Sequence, residues 1–138
     1  MTVLEPGTTA DLRALLLEYL DFHRSVVAAT VKGLDDAALR TSRLPSGWTP
    51  AGLLTHLAHM EQRWLVWGFL AEPVDAPWGD AAPDGGWVDP EATAPELVEG
   101  LHAQGRRTRE IVEAHPLDAV ARTGGRFESA AEAPHLQW

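Results

Sequence analysis

The chain has 138 residues, 45% of them apolar, with 11 basic and 20 acidic side chains giving a formal net charge of −9. That length and composition fit one folded domain (residues 1–138), and the acidity repels phosphate backbones, so nucleic acid is excluded as a partner. Cysteine is absent, which excludes disulfides and thiolate metal sites; no run approaches about 18 apolar residues and no signal-peptide pattern opens the chain, so a cytoplasmic protein with no membrane partner is expected.

A first helix is predicted over 9–32. Pro6-Gly7 precede it, Thr8 or Thr9 can cap it, and Asp11 falls in the first turn, where the helix dipole favours an acid. Leu12, Leu16, Tyr19, His23, Val26 and Thr30 recur at steps of four and three, which sets them on one face. Gly33 suits the left-handed residue that closes a helix. His23 lies on this stripe, either as a hydrogen-bonded core histidine or as a lining residue of an internal site.

The stretch "GWTPAGLLTHLAHMEQRW" (47–64) carries the best start signal in the chain. Thr49 can cap the free amides, and Pro50 at the first helical position forfeits no hydrogen bond. A second helix is predicted over 50–71, with Leu53, Leu57, Met60, Trp64 and Trp67 as its stripe and Glu72-Pro73 as its stop. His56 falls at the edge of that face and His59 one turn on. The pair reads either as boundary histidines or as two groups facing one metal.

Residues 72–92 contain Pro73, Pro77, Pro83, Pro90, Gly79, Gly85 and Gly86, which forbid a regular helix. A connection this long lets the next helix run parallel to the previous one. Trp78 and Trp87 are expected to pack back on the bundle. The third helix, predicted over 94–114, opens on Thr93 and Glu96 at capping-box spacing, with Leu97, Leu101, Thr108, Ile111 and Val112 as its stripe. The tail "LDAVARTGGRFESAAEAPHLQW" shows turn signals and no helix. The expected buried set is Leu16, Tyr19, Val26, Leu53, Leu57, Met60, Trp64, Leu101 and Ile111.

Other chemistry finds little support. Asp80, Asp84, Gly85 and Glu91 fall at positions one, five, six and twelve of a calcium loop, but Ala82 holds position three and two prolines stiffen the segment. No nucleophile elbow and no phosphate-binding glycine loop is present. "HLAH" lacks the spacing and the glutamate of zinc proteases.

The run "GLDDAALRTSRLPSGWTPAGLLTHLAHMEQRW", with "LDFHRSVV" before it and a Trp-rich crossover after it, resembles the DinB-like four-helix proteins. The resemblance is to the actinobacterial branch related to mycothiol-dependent maleylpyruvate isomerase, and it spans roughly residues 10–138. It implies an all-α four-helix bundle with a long crossover loop, of which three helices are encoded here. It implies a divalent metal, zinc or nickel, held by three histidines: His56 from helix two and an H-x-x-x-H pair from helix four. "APHLQW" resembles the lead-in to helix four, and His135 has no partner four residues on. His56 is thus the expected ligand and His59 a candidate second, with His23 and Trp64 lining the pocket. The implied activity is metal-dependent transfer or isomerisation using a small thiol such as mycothiol as cosubstrate, its partner a small electrophile. The alternative is a non-enzymatic helical module for association or stress-related binding.

Three amphipathic helices from a four-helix arrangement leave an apolar groove. Wetting several hundred Å² forfeits on the order of 10 kcal/mol. A second copy of the chain, making a homodimer, is the expected cover, ahead of the alanine-rich tail.

Overall fold

A computed structural model describes residues 5–7 and 11–138. Its helices are α1 (Leu12–Val31), a single turn α2 (Asp36–Leu39), α3 (Pro50–Glu61) and α4 (Ala94–Ala114), and α3 runs on as a π-helical segment, Gln62–Phe69. Among the described residues there is no strand, only two isolated bridges, Ala81 with Trp87 and Val120 with His135. Among the described residues no helix is long and apolar enough to cross a membrane.

The starts follow local chemistry. Thr8 and Thr9, the expected caps of the first helix, lie outside the described residues. Asp11 is the cap observed, accepting from the Arg13 amide at 3.0 Å. Thr49 accepts from the Gly52 amide at 2.9 Å with Pro50 at the first position. Thr93 and Glu96 form a full capping box, the Thr93 amide reaching Glu96 at 2.8 Å. Gly33 has φ +85° after α1, as a left-handed closing residue requires. α2 lies in what the sequence offered only as a link. Asp35 caps it, and Leu39 enters the core at 1% exposure.

The order of packing follows from which residues meet. Ala51 and Leu54 at the start of α3 share a core with Leu101 in the first half of α4 and with Val31 at the end of α1. Val66 and Phe69 share a second core with Ile111 at the end of α4. Arg13, in the first turn of α1, donates to the carbonyl of His115 just past α4. α3 and α4 therefore run parallel across the long loop, and α1 runs antiparallel to both. α4 packs along both of the others. On the opposite side, α1 and α3 leave a groove.

The inward faces of α1 and α3 depart from the expected stripes. Leu17, Arg24 and Val31 are buried on α1, and Leu54 and Glu61 on α3, whereas Val26, Leu53 and Trp64 are exposed and Leu16, Tyr19, Leu57 and Met60 are half-buried. The reason is a charge at the centre. Arg24 donates from Nε and Nη2 to the two Glu61 oxygens at 2.7 Å each, and the Thr108 hydroxyl adds a bond to Glu61 at 2.7 Å. A paired and fully bonded arginine and glutamate can occupy a core that neither could enter alone. On α4 the expected stripe holds from Leu101 on: Leu101, Thr108, Ile111 and Val112 are buried, while Leu97 is half-buried.

Beyond Glu61 the i→i+5 bonding of the π-helical segment fits more residues into each turn, so the α-helical stripe slips and Val66, Phe69 and Leu70 are buried instead of Trp64 and Trp67. The segment closes with Ala71 in the left-handed region at φ +56°.

The tail, expected to have little apolar surface to give, covers one end of the groove. The Arg122 amide bonds the Phe69 carbonyl at 2.9 Å and the Arg126 amide bonds the Trp67 carbonyl at 3.1 Å. Arg126 stacks on Trp64 at 3.9 Å. Phe127 and Leu136 help close a cavity of about 280 Å³ over Leu20, Met60 and Trp64. The other end stays open as a cleft of about 680 Å³ whose walls include Val27, Leu34, Leu44, Trp48 and Leu53.

Candidate functional site

His56 lies in the second turn of α3, on the edge that faces the crossover loop. Its Nδ1 is 2.8 Å from Oδ2 of Asp80, a loop residue 24 positions later with no exposed surface. The loop is shaped to make that approach. The Val88 amide bonds the Asp80 carbonyl at 2.8 Å, the Ala82 amide bonds the Gly86 carbonyl at 2.8 Å, and Gly85 supplies the positive φ of +86° the turn needs. The same turn carries Trp87 onto the His56 ring, centroids 3.9 Å apart, while the edge of Trp48 meets that ring at 5.4 Å.

Asp80 is held from a second side. Arg63, two turns beyond His56 and itself buried, donates from Nη1 to Oδ1 of Asp80 and, at 3.0 Å, to the Pro77 carbonyl. Its guanidinium lies 4.4 Å from the Trp78 ring. Burial pushes the Asp80 carboxyl up, but the hydrogen bonds from Arg63 and His56 and the charge of Arg63 outweigh it, and the carboxyl sits below its ordinary range. The carboxylate is therefore charged, buried and doubly bonded at neutral pH. The sequence offered Asp80 only as the first position of a calcium loop; in the fold its oxygens serve His56 and Arg63.

The other expected site residues are dispersed. His59 bonds the Thr55 carbonyl through Nδ1 at 2.9 Å, and its Nε2 lies close beneath Gly79, 3.1 Å from where a Cβ there would stand. His23 is exposed on α1 against the rings of Tyr19 and Phe22. Trp64 lines the smaller cavity. His135 bonds the Asp118 carbonyl, at 2.6 Å. No group of three histidine, aspartate or glutamate side chains able to hold a metal occurs among the described residues. The donor set present thus does not fit a bound zinc or nickel ion, since a structural or catalytic site takes three or four protein ligands.

What the arrangement offers chemically is one imidazole with its Nδ1 side fixed and its ring packed against Trp48 and Trp87, which also meet each other at 5.3 Å. His56 Nε2 makes no hydrogen bond among the described residues, yet it is not one of the fully buried unpartnered atoms. The side chain keeps 17% of its surface exposed, so the ring is not sealed from solvent.

Comparison with curated proteins and with solved structures finds no match. The sequence does match the family model described as Mycothiol-S-transferase over residues 15–138, a span containing most of α1, the His56–Asp80–Arg63 contacts, α4 and the tail. By that match, and by its all-helical architecture, the chain belongs to the mycothiol S-transferase family of DinB-like proteins.

Proposed function

We propose that this protein activates a small thiol, of the mycothiol type, for attack on a small electrophile, in a transfer or an isomerisation. The family match over residues 15–138 carries the reading. The geometry supports His56 as the working group. Its Nε2 accepts the thiol proton as the S–H bond breaks, and the thiolate sulfur bonds the electrophilic carbon. In a transfer the displaced group leaves with its electron pair. In an isomerisation the thiolate adds to a C=C bond, the C–C bond rotates, and the C–S bond breaks again as the thiol regains its proton. A thiolate is the reactive form, and a positioned base contributes about 10²–10⁴-fold to rate. Metal dependence, with His56 and His59 as ligands, belongs to this reading only where a further donor joins them, and no step here runs through an ion. The cytoplasm, where a thiol stays reduced, is the setting this chemistry requires.

The test is the initial rate of mycothiol loss in the presence of a small alkylating electrophile, for the parent chain and for His56→Ala. A rate above the uncatalysed background that falls about 10²-fold or more in the variant supports the reading. Equal rates for parent, variant and buffer overturn it.

A second reading, a non-enzymatic association module, is favoured by the open cleft and by the exposure of Leu44 and Leu53 along it. In it a second copy covers the cleft as a homodimer, since a stable monomer rarely exposes a large contiguous apolar patch. Sedimentation across a range of concentrations tests this: a dimer supports it, and a monomer at every concentration removes it.

A further inference from the structure

The two partners of Asp80 impose a choice on the imidazole between them. Arg63 is donor-only, so Oδ1 of Asp80 must accept. A carboxylate has no hydrogen to give, so at 2.8 Å the His56 Nδ1 must be the donor. In a neutral ring with Nδ1 protonated, the lone pair sits on Nε2, which makes no hydrogen bond among the described residues. Trp87 and Trp48 pack against the ring, and a flip that exchanged Nδ1 and Nε2 would give up the bond to Asp80. Arg63 is itself anchored on the Pro77 carbonyl and against Trp78, which keeps the carboxylate in position. A buried ion pair is weak as a device for stability, because desolvation offsets its attraction. Its value here is orientation.

We propose that Asp80, clamped by Arg63, is a positioning residue that fixes His56 as the Nδ1–H tautomer and so presents the Nε2 lone pair to the ligand. This inference rests on the reading of His56 as the working imidazole. It adds which ring nitrogen acts, and which buried pair selects it. Asp80→Asn tests it sharply. Arg63 still demands an oxygen, so the new amide turns its NH₂ toward His56, and the ring must answer with an unprotonated Nδ1. The tautomer inverts, and the hydrogen moves to Nε2.

The experiment is long-range ¹H–¹⁵N correlation on histidine-labelled full-length chain at a pH where the ring is neutral, with His56→Gln to assign the signal. The parent should show the Nδ1–H form in at least about tenfold excess, as a charge-assisted hydrogen bond gives. Asp80→Asn should reverse that preference and lower kcat by on the order of 10²–10⁴ with KM little changed. An Nε2–H form or an even mixture in the parent overturns the inference, whether or not the variant folds. An unchanged tautomer in a folded Asp80→Asn overturns it as well. Thiol turnover measured on the same samples separates the two claims. Turnover by a parent without the Nδ1–H form removes the role of Asp80 alone, and the predicted tautomer without turnover removes the proposed function alone.

Discussion

Replacing Arg24 with alanine removes three of the bonds that make the centre of the bundle tolerable. Glu61, 8% exposed, would keep only the Thr108 hydroxyl at 2.7 Å after losing both guanidinium bonds. Arg24 also gives up its 2.7 Å bond to Asp21. Breaking a buried pair from one side costs roughly 3–5 kcal/mol, because the remaining charge stays buried without its partner. For a chain of this length that lowers Tm by on the order of 10–20 °C. Gly105 supplies an internal check. A Cβ at residue 105 would stand 2.8 Å from Arg24 Nε and 2.9 Å from its Cδ and Cζ. In the parent, Gly105→Ala should therefore destabilise by about 1–3 kcal/mol through overpacking. In the Arg24→Ala background the obstruction is gone, and the same change should stabilise by about 1 kcal/mol, the helix-propensity difference between glycine and alanine. Urea unfolding of the four proteins, followed by tryptophan fluorescence, measures all of these terms. A Gly105→Ala change with the same sign in both backgrounds refutes the reasoning, as does an Arg24→Ala cost below about 1 kcal/mol.

Three further outcomes are expected. The Thr93 amide, then its hydroxyl, hold the Glu96 carboxyl below its ordinary range, so its contribution is present above the unfolded pKa and is lost as pH falls through the folded one. The stability difference between parent and Glu96→Gln, read from urea midpoints, should thus shrink as pH falls below the ordinary glutamate range and vanish once the folded carboxyl is protonated, and a difference that grows in acid contradicts the capping box. Ala71→Gly should stabilise by up to about 1 kcal/mol by relieving the left-handed backbone at φ +56°, and a loss in thermal unfolding would count against that strain. Gly125→Ala puts a Cβ 2.3 Å from the Trp67 carbonyl and 2.8 Å from the Ala71 Cα, so it should loosen the tail by about 1–3 kcal/mol; unchanged hydrogen exchange at the Arg126 amide would show that the tail does not pack there.

The legible parts of this chain are those with local physics. Thr49-Pro50 and the Thr93/Glu96 box announce their helices because caps act within one turn, and the proline-rich connection announces a crossover by its length alone. On α4 the stripe reads correctly, since Leu101, Ile111 and Val112 carry it without a charge at its centre. On α1 the burial of Leu17, Arg24 and Val31 was hidden, because an arginine reads as surface until its partner Glu61, 37 residues away, is known. The π-helical register after Glu61 leaves no mark in apolar spacing and displaced the stripe from Trp64 to Val66 and Phe69. The site divides the same way. His56 stood out by its motif, but Asp80 sits in an irregular loop where aspartate is common, and Arg63 is one of several arginines. Only the turn closed by the Val88–Asp80 bond brings the three together.

The claim that thiol chemistry is centred on His56 is tested most directly by adding mycothiol to histidine-labelled protein and following every ring. The account predicts a saturable shift of the His56 Nε2 signal, with His23, His102, His115 and His135 unmoved. A saturable shift at other histidines with His56 still, or no saturable shift at any ring, would contradict it.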